Sequence, residues 1–99
     1  MLYAIMSVDI EQSAQLRAKT RPLHLEYVRS LRDQGRLLLA GPHPAIDSPD
    51  PGAAGMSGSL VIAEFRSLDE AKEWANLDPY MQAGVFASVV IKPFIRVYS

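Results

Sequence analysis

The chain has 99 residues, 48% of them apolar and 21% charged, with a formal net charge of −1 and no cysteine. That size predicts one domain over residues 1–99 that leaves much of its surface exposed and gains from oligomerising, and its apolar share argues against disorder. The near-neutral charge gives no reason to expect nucleic acid, and the missing thiols exclude disulfides, thiolate metal sites and cysteine nucleophiles.

The opening MLYAIMSVDI has no basic segment and reads as a strand, not a signal peptide. No apolar run is long enough to span a membrane, so a cytoplasmic location is expected. Leu2 to Val8 is apolar on both alternating faces apart from Ser7, the pattern of a central strand covered on both sides. Asp9 to Lys19, polar and rich in alanine, reads as a short helix or a helical lead-in. Proline suits a first helical turn, so a helix is predicted from about Pro22 to Gln34, with Tyr27, Val28 and Leu31 as its apolar stripe and Gly35 as its stop. Arg36 to Ala40 is a second strand. Gly41 to Met56, with its prolines and glycines, is predicted to be an irregular loop of the length that serves a function or moves.

Ser59 to Phe65 is a third strand. Ser67-Leu68-Asp69-Glu70 is a capping box that opens a helix along Leu68, Ala71 and Ala75, with Trp74 at the edge. Asp78-Pro79 starts a shorter helical turn that Gly84 ends. Ala87 to Val97 is the last strand, and Pro93 assigns it to a sheet edge or a bulge. The order β-α-β-β-α-β is the ferredoxin-like arrangement, an antiparallel sheet with its first and third strands central. Its helices cover one face only, yet both faces read as apolar, so a second copy of the chain is the simplest cover for the other.

The chemistry centres on His24. It shares a helix side with Val28 and Leu31, so it points inward or toward a cleft. Histidine, with an unperturbed pKa of roughly 6.5, is the natural proton carrier near neutrality. The same position also suits a core histidine satisfied by backbone carbonyls. Asp78, directly before proline, is placed to be an N-cap. The two roles are compatible if one carboxylate oxygen caps while the other orients the imidazole and leaves its second nitrogen free for a substrate proton. Arg21, one turn before His24, is either a clamp for an anionic or phenolic oxygen or a solvated charge. Ser59 could donate a hydrogen bond into a pocket, and Met56, Tyr80 and Phe86 are candidate apolar walls or ordinary core. His43 reads as exposed, and Asp47, Asp50 and Asp69 as solvated. The glycines at 52, 55 and 58 lack the context of a phosphate loop. With two histidines and no thiol, a zinc site would need Asp or Glu, or a second chain, to complete it, and acid–base chemistry on His24 needs no metal or organic cofactor.

The segments MLYAI, RPLHLEYVRSLRDQGRLLLAGPHPAIDSPDPGAAGMSGSLVIAEF, SLDEAKEWANLDPYMQAGVF and VVIKPF together resemble the YciI family over nearly the whole chain. The R-x-x-H-L helix start, the A-G-P after the second strand, D-P-[YF]-x-x-A-G and K-P-F carry the resemblance jointly. It implies a ferredoxin-like subunit that dimerises sheet to sheet into a dimeric α+β barrel, and a cleft where a His and an Asp form a catalytic pair. By position these are His24 and Asp78, with Arg21, Gly41 and Pro42 in the neighbouring motif segments. Enzymatic members include a lyase-type branch that removes HCl from chlorinated hydroxyquinols. Two functions are therefore carried forward. One is a cofactor-independent lyase or isomerase that moves a proton on a small hydroxylated or aromatic molecule. The other is a non-catalytic small-molecule binder or assembly subunit built on the same barrel. A purely structural His24–Asp78 tie is a third, weaker reading.

Overall fold

The computed structural model describes all residues from Met1 to Ser99. Its elements are β1 (Leu2–Asp9), α1 (Ala14–Asp33), β2 (Leu37–Pro44), a short 3-10 turn (Gly52–Ala54), β3 (Met56–Glu64), α2 (Leu68–Asn76), α3 (Pro79–Gln82) and β4 (Phe86–Phe94). One four-stranded sheet runs in the order β2-β3-β1-β4. All its pairings are antiparallel. The central pair is β1 and β3, as the strand pattern predicts.

Side chains of one parity along these strands meet the helices. Tyr3, Ile5, Val61 and Ala63 join Phe65, Leu31 from α1, and Ala71 and Ala75 from α2 in the main core. Ser67 caps α2 as expected, accepting from the Glu70 backbone N–H at 3.1 Å. The Glu70 side chain reaches back one residue further than the predicted box, to the N–H of Arg66 at 2.9 Å.

Several boundaries differ from the sequence expectation. The first helix starts at Ala14 and runs straight through Pro22, so it is eight residues longer at its start than predicted. Proline costs a helix one hydrogen bond. Here the stretch before it buries Arg17 and Thr20 and the stretch after it buries His24, Val28 and Leu31, so burial along one face outweighs the local defect. The segment expected to be irregular is also partly regular. β2 continues through Pro42 and Pro44, pairing Pro42 with Ser59 and Pro44 with Met56, and β3 begins at Met56. An edge strand can leave alternate donors unpaired, so proline is tolerated there. At the other edge β4 includes Pro93 but ends at Phe94, short of the predicted Val97.

Gly58 is required where β3 pairs with the end of β1, opposite Val8. A Cβ on it would lie 2.0 Å from the carbonyl oxygen of Ser7. Its own carbonyl is a fixed acceptor in the site described below.

Candidate active site

The site is built where α1 passes over the β2–β3 edge. His24 and Arg17 sit seven residues apart on the buried side of α1, so both face the sheet. Asp78 stands at the N-cap of α3, where its side chain accepts from the Tyr80 backbone N–H at 2.9 Å. His24 Nδ1 lies 2.8 Å from Asp78 Oδ1. Asp78 is 3% exposed and His24 9%. The expected division of labour between the two carboxylate oxygens does not hold. The same Oδ1 caps α3 and meets the imidazole, because α3 follows so closely that its first free N–H points at the oxygen already facing His24. In the neutral ring an aspartate acceptor places the proton on Nδ1 and leaves the Nε2 lone pair free. Nε2 has no hydrogen-bond partner in the protein.

A second buried assembly adjoins this pair. Arg17 Nε donates to Asp9 Oδ2 at 2.6 Å, and Nη2 reaches Asp9 Oδ1 at 3.3 Å, the Gly58 carbonyl at 2.9 Å and Ser59 Oγ at 2.6 Å. Ser13, at the start of α1, donates to the same Asp9 Oδ2 at 2.7 Å. Tyr80 joins the two assemblies. Its ring stacks on His24 with centroids 4.0 Å apart and planes 15° apart, and the Arg17 guanidinium lies 4.8 Å from its centre. Burial raises the Tyr80 phenol above its ordinary pKa. Arg17 and Arg21 pull it down and Asp78 adds to the rise, so the hydroxyl keeps its proton and can donate.

A cleft of about 220 Å³ opens in front of these groups. Arg17, Arg21, His24, Ser59 and Tyr80 line it, with Gly41, Pro42, Leu25, Val28 and Val61 among the remaining walls. The structure thus brings His24 to one cleft with each of Arg21, Gly41, Pro42, Ser59 and Tyr80, and sets Asp78 directly behind the histidine. Of the suggested apolar walls only Tyr80 lines this cleft. Phe86 packs edge-on to Tyr80, 5.7 Å away, and borders a hollow of about 10 Å³ behind His24. Met56 is half-buried and lines neither space, because β3 begins there and carries it to the far end of the strand. His43 is exposed on β2 and Asp47, Asp50 and Asp69 are exposed. No three His, Asp or Glu side chains converge as metal ligands would. Sequence reasoning missed Arg17 and Asp9. The signal was the stripe Leu31, Val28, His24, which continues upstream to Arg17 once α1 is allowed to pass Pro22.

On the other side of Asp78, Tyr27 donates to the Trp74 carbonyl at 2.8 Å and stacks on the indole at 4.8 Å. Burial, with the Asp78 charge adding to it, pushes the Tyr27 phenol up to about 12. A phenol raised from 10 in the folded state contributes stability in full below pH 10 and loses it as pH rises toward 12. Chemical denaturation across this window is expected to show stability falling, with a smaller fall in Tyr27→Phe. An identical alkaline slope in that variant would contradict the assignment.

A four-stranded antiparallel sheet in this order, with its helices on one face, defines the α+β ferredoxin-like fold, the subunit fold of dimeric α+β barrels. The sequence places it more narrowly. The chain belongs to the YCII-related domain family, whose model matches residues 1–95. It is 54% identical over 98 residues to Protein YciI of Escherichia coli, covering 99% of this chain and 100% of that one. Among solved structures it resembles 5-chloro-2-hydroxyhydroquinone dehydrochlorinase (TftG) of Burkholderia phenoliruptrix in complex with 2,5-dihydroxybenzoquinone. The TM-score is 0.84 at 28% identity, over 96% of this chain and 94% of that one. An antibiotic biosynthesis monooxygenase, at 16% identity, TM-score 0.50 and coverage of 97% and 100%, shares the fold alone.

Proposed function

We propose that the protein is a cofactor-independent lyase or isomerase in which His24 is the general base and Asp78 orients it. The observation that carries this reading is the 2.8 Å contact from Asp78 to Nδ1, with Nε2 unpartnered in a residue that lines the cleft. The carboxylate holds the tautomer and stabilises the imidazolium once it forms. In an elimination, Nε2 takes a proton from the substrate. The electron pair of the broken bond forms a new π bond, and a leaving group such as chloride departs with the displaced pair. No electron is gained or lost overall. Arg21, Gly41, Pro42, Ser59 and Tyr80 serve as substrate-binding surface. Likeness to a dehydrochlorinase supports this reaction class. The test is chloride release from 5-chloro-2-hydroxyhydroquinone by the purified protein, and its dependence on His24. Release that persists undiminished without the imidazole would end the proposal.

The working unit in this reading is a homodimer. The sheet face away from the helices carries Met6, Val8, Leu39 and Val90 at 37%, 56%, 45% and 48% exposure, with Met6 directly between Leu60 and Val90. A contiguous apolar face of this kind is what a self-complementary interface buries. Met6→Asp, at its centre, is expected to convert a dimer into a monomer with secondary structure intact, as read by light scattering and circular dichroism. A wild-type protein that is monomeric at micromolar concentration would refute the assignment.

A further inference from the structure

We propose that the cleft selects small planar molecules with an ionised oxygen, and that Arg17, Arg21 and Ser59 form the seat for it. This rests on the proposed function and specifies its substrate class. Three observations carry it. First, Arg17 is 8% exposed and held on two of its three nitrogens by Asp9, Gly58 and Ser59. Its Nη1 makes no hydrogen bond to Asp9, Gly58 or Ser59, and the residue borders both the cleft and the Tyr80 phenol. A guanidinium fixed in this way has already lost its rotamer freedom and presents one donor at no further ordering cost. Second, the charge around the cleft is one-sided. Asp9 balances Arg17 and Asp78 lies behind His24, but Arg21 has no ion-pair partner, and no Asp or Glu lines the cleft. The cleft wall itself thus carries two guanidiniums, while the carboxylates of Asp9 and Asp78 stand behind it. Third, Ser59 Oγ accepts from Arg17, so its own proton is free to be donated.

The chemical consequence is specific. A base that removes a proton beside an oxygen-bearing carbon leaves negative charge on that oxygen, and donors already aimed at it hold that charge best. The apolar walls from Leu25, Val28, Pro42 and Val61 suit a flat hydrocarbon body behind the charged end. The seat thus favours enols and phenols that ionise, and disfavours the same skeletons when their oxygens are alkylated. The 2,5-dihydroxybenzoquinone bound to TftG is a planar acid of this class.

The test is equilibrium binding by isothermal titration calorimetry, which needs no turnover. The probes are 2,5-dihydroxybenzoquinone, ionised at neutral pH, and its neutral dimethoxy ether. The acid is expected to bind at least roughly tenfold more tightly than the ether, the value of one charge-assisted hydrogen bond. Arg21→Gln and the paired change Asp9→Asn with Arg17→Gln should each reduce that preference. The paired change avoids stranding a buried carboxylate, and if it fails to fold, Arg21→Gln and the two probes still decide. His24→Asn should keep the preference while losing turnover, which separates this inference from the general-base assignment. Equal affinity for acid and ether, no binding of either at millimolar concentration, or a preference unchanged in Arg21→Gln would overturn it.

Discussion

Replacing His24 by asparagine is expected to lower turnover by roughly 10²–10⁴-fold, the usual share of a positioned acid–base group. Asparagine is the informative choice because its amide nitrogen falls near the position of Nδ1. The donor to Asp78 Oδ1 is kept and only the Nε2 side of the ring is lost. The 9% exposure of His24 and its 4.0 Å stack on Tyr80 mean that some packing is lost as well. A modest drop in unfolding midpoint should therefore accompany the catalytic loss. The comparison that decides is chloride release against urea midpoint. A large fall in the first with a small fall in the second supports a chemical role. A large fall in stability with turnover per folded molecule intact would make the pair a structural tie.

Arg17→Ala is expected to destabilise the fold by about 3–5 kcal/mol, the cost of stripping one partner from a buried ion pair. Asp9 is the reason. Its side chain is 1% exposed and faces Arg17 Nε at 2.6 Å. Without the guanidinium, Ser13 alone still donates to that carboxylate, and Ser59 Oγ and the Gly58 carbonyl each lose a donor. Equilibrium urea unfolding measures the effect directly. Replacing Asp9 and Arg17 together by Leu and Met should cost far less, because no charge is then left without a partner. A single change as mild as the double would show that water compensates Asp9 and that the pair contributes little.

The outline of this fold was legible because its central strands and amphipathic helices obey their periods without conflict. Capping by Ser67 and Asp78 was legible for the same reason: small polar residues before a helical run have few other uses. Helix phase brought His24 to the sheet side, and family resemblance, more than any local rule, joined it to Asp78. What escaped notice lies where tertiary context overrides a local signal. Pro22 read as a beginning and is an interior residue, which hid Arg17 and with it the partner of Asp9. Pro42 and Pro44 read as loop and are edge strand, because only one side of that strand needs donors. The sharing of one Asp78 oxygen could not be read from sequence at all, since it depends on how closely α3 approaches α1.

That shared oxygen makes the short α3 an adjusting screw for the imidazole. Oδ1 divides its electron density between the Tyr80 N–H and His24 Nδ1, so whatever loosens Pro79–Gln82 hands more of it to the ring, and whatever tightens the turn withdraws it. Residues of this segment that never touch the cleft, Gln82 with its 2.6 Å bond to the Asn76 carbonyl among them, thereby help to set how firmly the imidazole is held. A lineage could retune this site for a different proton donor by editing a four-residue helix, leaving every cleft-lining side chain as it is.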